Sequence, residues 1–406
     1  MISNILIISS NHTGHGHKSI CESLIERFSL HPDVNVHVVD GFSLAGKLGL
    51  RIGKMYGSVT RNAKELWKLM WEISSRKPSL VNDFTESSIR ENFLRLLATI
   101  KPDLILSVHP NFNEPILNIL EDYKINIFFL TLVADLVSIS PLWVDPRADY
   151  IICPSKESKY KCLEFGVSES KLKVTSFPVR KKFLQPISSR TEITRYNGSN
   201  PLECLIMSGG EGSGNMRKVA KILLSNFDCR VKIIAGRNEI LKRRLERVFA
   251  EQYKDKVKIY GFVENIQDLM ITSDIAFTRG SPNVMMEAVA CNVPLIITGN
   301  LPGQEEGNPS YLQKYNLGLV CKEPAQLKHI VADLLYNNAE KLNNIRQCQR
   351  SFFNPNASKD VVDFILDLEK KGCIHFPDKI HNRWYRGKKI SVGKKLLISR
   401  HNKMTK

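Results

Sequence analysis

Short apolar runs alternate with apolar stripes at helical spacing along most of the chain. In the first half, residues 5–9, 34–40, 104–108, 127–133 and 150–154 read as strands; in the second half, residues 202–208, 231–235, 257–260, 275–278 and 295–298 do. Runs of this length without strict alternation suit strands buried on both faces, the condition of a parallel sheet. Helical stripes fall between them: Ile20, Leu24, Ile25 and Phe28 after the first strand, and Val219, Leu223 and Leu224 after the first strand of the second half. A repeated strand, loop and helix predicts doubly wound α/β domains, with ligands at the carboxyl ends of the strands. Residues 184–200 are polar, rich in Ser, Thr and Asn, with Pro186 and Gly198, and read as a linker. The pattern therefore predicts two Rossmann-like domains, residues 1–183 and 201–371, and a tail at 372–406. A length of 406 residues agrees, being too great for one ordinary core.

One stretch departs from this rhythm. Across residues 41–82, Leu48, Ile52, Met55, Val59, Ala63, Leu66, Met70 and Ile73 form one helical stripe, flanked by Trp67 and Trp71. Lys47, Arg51, Lys54, Arg61, Lys64 and Lys68 lie largely off it, and Lys/Arg outnumber acidic residues 8 to 2. A basic amphipathic segment with Trp suits a membrane interface, with Trp67, Trp71, Lys54, Arg61 and Lys68 as its contacts. The same stripe equally serves a helix packed on a core with its charged face in water. Gly49, Gly53 and Gly57 lower helix propensity here and mark a mobile or close-packed segment.

Composition is that of a soluble globular protein, 43% hydrophobic and 24% charged. No apolar run approaches the ~20 residues that span a bilayer, and the chain enters a strand at once, so no secretory signal is expected. Nine cysteines lie scattered without a C-x-x-C pair, which fits a reducing cytosol rather than a disulfide framework. The net charge of +17 is uneven: residues 371–406 carry 11 Lys/Arg against one acidic residue, whereas residues 1–186 carry 23 against 19. A tail of this kind, which also holds Trp384 and Tyr385, suits anionic lipid or RNA, or is simply solvated.

Candidate chemistry collects at strand ends. The run at 275–278 breaks at Arg279-Gly280-Ser281-Pro282, Asn283 occupies the expected helix N-cap, and a helix follows. Free backbone N–H groups and the positive end of the helix dipole there suit phosphate, with Ser281 and Asn283 as further donors. Glu287 lies one turn into that helix, placed to accept from ribose hydroxyls. The loop Pro302-Gly303-Gln304-Glu305-Glu306-Gly307-Asn308 is polar enough to read sugar hydroxyls. Gly209-Gly210-Glu211-Gly212-Ser213-Gly214 follows a strand and opens a helix, so its backbone can approach a diphosphate closely. The chain has no G-x-x-x-x-G-K-[ST] loop, which disfavours an NTP-hydrolysing site. Arg237 offsets phosphate charge or caps a surface. Gly261-Phe262-Val263 offers backbone groups to a uracil edge. At the first strand end, Thr13-Gly14-His15-Gly16-His17 offers imidazoles, the side chain best suited to take a proton near pH 7. His17 there is a base or a packing residue, and a metal reading of His12, His15 and His17 also stands. Asp135 ends the strand at 127–133 and is a cleft residue or a helix cap.

These blocks resemble the diacylglycerol glycosyltransferases, the family of plant galactolipid synthases and bacterial processive glucosyltransferases (glycosyltransferase family 28). The resemblance rests on Thr13-Gly14-His15-Gly16-His17, Lys101-Pro102-Asp103, Pro178-Val179-Arg180, Gly209 to Gly214, Gly261-Phe262-Val263, Met270 to Asp274, Glu287-Ala288 and Pro302 to Asn308. The family's K-P-G-G-x-T turn is Arg279-Gly280-Ser281-Pro282-Asn283 here, and the usual His near Ser140 is absent. The resemblance implies a GT-B fold with the active site between the domains. It implies a last helix, residues 356–371, crossing back onto the first domain through Val361, Phe364, Ile365 and Leu368.

For function, the resemblance implies an inverting transfer of glucose or galactose from a UDP-sugar to diacylglycerol or a glycosylated diacylglycerol. His17 becomes the base, with Asp135 orienting it or acting itself. Gly209, Gly210, Gly212, Arg237, Phe262, Val263, Ser281, Asn283, Glu287, Gln304, Glu305 and Asn308 hold the donor, Glu287 at the ribose and Gln304 and Glu305 at the sugar. No D-x-D triplet occurs, so no metal or other cofactor is expected. The expected partners are a UDP-hexose, a diacylglycerol-type lipid and an anionic membrane, not nucleic acid. The expected location is cytoplasmic, peripheral on the inner face of the cell membrane. A polyprenyl-linked or soluble acceptor, a UDP-sugar epimerase and a non-catalytic UDP-sugar sensor at the membrane are the alternatives.

Overall fold

A computed structural model describes residues 2–11, 13, 16–184, 196–207, 215–250, 252–372, 374 and 376, with backbone alone at 56, 61, 62 and 64. His12, His15, Gly209, Gly210, Gly212 and the side chain of Arg61 therefore lie outside the described residues, as does the tail from 377 onward.

Two six-stranded sheets form, and every ladder in both is parallel. The first contains β1 (Asn4–Ser9), β2 (Asn35–Asp40), β3 (Leu104–Ser107), β4 (Phe128–Leu132), β5 (Tyr150–Cys153) and β6 (Leu172–Val174), in the order 2-1-3-4-5-6. The second contains β7 (Leu202–Met207), β8 (Cys229–Ile234), β9 (Val257–Tyr260), β10 (Ile275–Thr278), β11 (Leu295–Ile297) and β12 (Gly318–Val320), in the order 12-11-10-7-8-9. The continuous apolar runs have the predicted cause: Ile5, Leu6, Ile7 and Ile8 are all inaccessible, as are Leu104, Ile105 and Leu106 beside them. Each such side chain contributes about 1.5–3 kcal/mol by leaving water.

The strand orders fix where ligands can sit. Connections reverse direction between β1 and β3 in one sheet and between β7 and β10 in the other, and crevices open at such switch points beyond the carboxyl ends. The chain beyond these strand ends carries His17, His109 and Arg279 to Asn283. The helix Ala357–Leu366 follows the second sheet yet buries Val361, Val362 and Ile365 in the core shared with the first. Phe364 meets Tyr150 edge-on at 5.0 Å, and Lys371 pairs with Asp149 at 2.6 Å.

Three local expectations change. The stripe at 48–73 is two helices, Gly46–Asn62 and Lys64–Arg76, separated at Ala63, whose φ/ψ of −138°/61° is not helical. The helix after β10 runs Pro282–Ala290, so its N-cap is Ser281 and not Asn283. Proline is favoured at the first helical position, where its missing N–H costs nothing, and this moves the start upstream. The strands β6 and β12 join the two sheets although no run in the sequence announced them.

Candidate active site

A cleft of about 600 Å³ lies between the two sheets. Thr13, His17, Thr60 and Asp135 line it from the first, and Arg237, Phe262, Val263, Ser281, Asn283, Glu287, Gln304 and Glu305 from the second. The halves approach closely. A Cβ on Gly16 would stand 2.5 Å from Asn283 Nδ2, and one on Gly303 only 2.1 Å from the ring of Trp71. Gly303 also has φ +78°, a conformation side chains rarely adopt.

His17 stands in the first turn of the helix Gly16–Phe28, the helix that follows β1, and is nearly buried. Its Nδ1 lies 2.7 Å from the Val108 carbonyl oxygen. Only an N–H can meet a carbonyl, so Nδ1 carries the proton and Nε2 keeps its lone pair. Burial pushes the pKa down to about 4, against the carbonyl's opposite pull. The ring is therefore neutral at pH 7, the state a base requires. His109, at the end of β3, packs against it with ring centroids 4.6 Å apart. His109 Nδ1 accepts the Asn111 N–H, so its Nε2–H donates to Thr13 Oγ1 at 3.0 Å. Burial and the neighbouring His17 hold His109 well below the ordinary histidine range.

Asp135 is buried beyond β4. Its Oδ2 accepts the Trp143 indole N–H at 2.7 Å, and its Oδ1 accepts from Gln304 Nε2 at 3.2 Å, across the cleft. Burial raises its pKa to about 6, with both hydrogen bonds pulling the other way. Asp135 thus does not orient His17; the Val108 carbonyl does. A carbonyl one residue beyond β3 reaches the ring, whereas both carboxylate oxygens are engaged elsewhere.

The second domain supplies the rest. Ser281 caps Pro282–Ala290 without spending its hydroxyl on the cap, so the helix opens toward the cleft. Glu287 Oε1 meets Arg180 Nη2 at 2.8 Å and accepts from Ser19 Oγ at 3.1 Å, both from the first domain. Glu305 is buried: its Oε2 accepts the Leu301 N–H at 2.8 Å, and Arg279 Nε lies 3.3 Å from Oε1. Asn308 is absent from the cleft wall; it stands behind the turn and donates Nδ2–H to the Gly280 carbonyl at 2.7 Å. Arg237 lies over the Phe262 ring, 4.7 Å from its centroid. Trp67 and Trp71 are half-buried with rings 6.4 Å apart, and Lys54 and Lys68 are exposed.

Sequence reasoning thus named residues that converge on one cleft, but passed over His109, Trp143 and Arg180. Only Arg180 stood inside one of the resembling blocks; His109, directly after the run at 104–108, was another imidazole at a strand end, and that is the signal that could have found it.

The family described as monogalactosyldiacylglycerol (MGDG) synthase matches residues 17–179, and glycosyl transferases group 1 matches residues 215–337. Monogalactosyldiacylglycerol synthase 1, chloroplastic, of Arabidopsis thaliana is 27% identical over 384 residues, 90% of this chain and 71% of that protein. The processive diacylglycerol beta-glucosyltransferase of Bacillus cytotoxicus is 26% identical over 93% of this chain and 98% of its own length. The crystal structure of Acinetobacter baumannii MurG superposes with a TM-score of 0.59 at 14% identity, covering 90% of this chain and all of that one. The UDP-GlcNAc 2-epimerase of Neisseria meningitidis bound to UDP-GlcNAc gives 0.58 at 14% over 89% of this chain and 99% of its own. The structural likenesses speak for the fold, and the sequence relatives for the lineage. Two family matches and relatives aligned over nine-tenths of this chain show a hexosyltransferase of GT-B fold that is similar to the MGDG synthases and the bacterial diacylglycerol glucosyltransferases.

Proposed function

We propose that this chain moves a hexose from a UDP-sugar to the hydroxyl of diacylglycerol or a glycosylated diacylglycerol, inverting the anomeric carbon in one displacement. The observation that carries this is His17: neutral, tethered through Nδ1 and facing the cleft with Nε2 unbonded among the described residues. The acceptor hydroxyl gives its proton to Nε2 and its oxygen bonds to the sugar C1. The C1–O bond to the diphosphate breaks, and UDP leaves with the electron pair. The amino end of Pro282–Ala290 and the Arg237 guanidinium face the charge that builds on the leaving group. These groups support a reaction that needs no bound metal. Gln304 lies where the sugar would be read, tied to Asp135.

The lipid side rests on the two helices Gly46–Asn62 and Lys64–Arg76. Leu48, Ile52, Met55, Leu66, Met70 and Ile73 are each at least 40% exposed, so the stripe is not packed on a core. Lys47, Arg51, Lys54 and Lys68 are exposed beside it. An uncovered apolar face rimmed with cations supports docking on an anionic membrane from the cytoplasmic side. No described helix is long and apolar enough to cross a membrane.

A transfer assay tests the proposal. Purified protein meets radiolabelled UDP-glucose or UDP-galactose with mixed micelles of diacylglycerol. Labelled glycolipid from one donor is the expected result. Donor bound without any lipid product, or epimerised or hydrolysed without an acceptor, overturns it.

A further inference from the structure

Arg180 takes no part in the transfer as written, yet it stands at the seam of the cleft. It follows β6 in the first domain, and its guanidinium spans two carboxylates. Nη1 meets Glu22 Oε2 at 3.0 Å, and Nη2 meets Glu287 Oε1 at 2.8 Å. Glu22 and Ser19 lie on the helix that carries His17, and Ser19 Oγ adds its hydrogen bond to the same Glu287 Oε1. The guanidinium is packed 5.1 Å over the Phe183 ring, which fixes the direction of its fork. Every side-chain partner that the described residues give the Glu287 carboxylate comes from the other domain. Those partners occupy Oε1 only, which leaves Oε2 for a ligand in the cleft.

We infer that Arg180 is a positioning residue for the donor: supplied by the first domain, it holds and aims the Glu287 carboxylate so that Oε2 accepts from the ribose hydroxyls of the nucleotide. Donor affinity is then a property of the closed pair of domains and not of the second domain alone. The inference rests on the proposed function only in taking a uridine diphosphate sugar as the ligand. A carboxylate this buried tends to hold its proton, and burial does raise Glu287 above the usual range. Arg180, then Ser19 and Lys182, oppose that rise, while Glu22 faces Arg180 from its far side. Without Arg180 the carboxyl keeps its proton to higher pH and loses its aim.

The test compares Arg180→Met, Arg180→Lys and Ser19→Ala with the full-length wild type. Calorimetry measures Kd for UDP and for 2′,3′-dideoxy-UDP between pH 5 and 8, and steady-state kinetics separate donor KM from kcat. Arg180→Met is expected to weaken UDP about tenfold or more, the scale of a lost charge-assisted bond. Dideoxy-UDP should bind wild type and Arg180→Met alike, and kcat should stay within about threefold while donor KM rises. The acid limb of UDP affinity should move to higher pH in Arg180→Met and return partway in Arg180→Lys. Ser19→Ala, a milder change if Arg180→Met folds poorly, should shift the same quantities less. Equal losses for UDP and dideoxy-UDP, or UDP affinity unchanged in both Arg180→Met and Ser19→Ala, would overturn the inference. The binding arm needs no acceptor: wild type that binds UDP through its ribose but transfers nothing would sink the transfer reaction and leave Arg180 assigned.

Discussion

His17 has two ring nitrogens and only one of them is available: the Nδ1 proton is committed to the Val108 carbonyl, so any proton arriving from a substrate must go to Nε2. His17→Ala should lower kcat by about 100-fold or more, the usual size of a lost general base, while calorimetry shows UDP binding unchanged. The pH profile carries a second expectation. His17 gains a proton only as pH falls through about 4, so it adds no limb near 6.5. Asp135 gains one as pH falls through about 6 and then loses an acceptor site for Gln304 or Trp143. In wild type, kcat/KM should therefore fall as pH drops through about 6. In Asp135→Asn the part of that limb that Asp135 contributes should vanish, leaving the parts that belong to Glu287, which is also raised by burial, and to His17 near 4. A histidine and an aspartate at strand ends were legible in the sequence because side chains of those types bring chemistry with them. The Val108 carbonyl was not, since a backbone acceptor leaves no mark in a sequence. Hence Asp135 looked like the orienting partner.

Elements were legible where their periodicity ran long. Ten strands could be read from short apolar runs, whereas β6 and β12 hold only two apolar residues each beside a lysine or a glycine; β11, equally short, is Leu-Ile-Ile and could be read. The break at Ala63 was hidden for the opposite reason. Alanine is the best helix former, so nothing local interrupts the stripe and tertiary placement must. That placement sets Trp71 on Gly303 while Leu66, Met70 and Ile73 stay in water. The double substitution Leu66→Glu and Met70→Glu should cut binding to anionic vesicles by at least about tenfold, from two lost apolar anchors. Turnover on micellar lipid should fall with it, and UDP affinity should not. Sedimentation with vesicles checks the first point and calorimetry the last. Thermal melting should be nearly unchanged, because neither residue belongs to the core.

At the scale of the molecule, the site exists only when both sheets contribute. Gln304 reaches Asp135, Gly307 N–H reaches Ser138 Oγ at 2.9 Å, and Lys314 pairs with Glu157 at 2.6 Å, each across more than 150 residues of sequence. Motifs announced the two halves separately, but no pattern within either half could say which residues would face each other. Gly303→Ala tests the fit directly. The methyl would enter the Trp71 ring at a left-handed φ, so donor KM should rise severalfold, the cost of one strained residue. Pairing it with Trp71→Ala should recover part of that loss, the steric part alone. A seam assembled from such matched pairs also bears on inheritance. Recombination between relatives at the middle of the gene would deliver two well-folded halves whose facing residues had never met. Ser19 and Arg180 would have to travel with Glu287, Asp135 with Gln304, and Trp71 with a residue that has no side chain at all. The halves can diverge freely on their outer surfaces, but along this line each can change only at the pace the other permits.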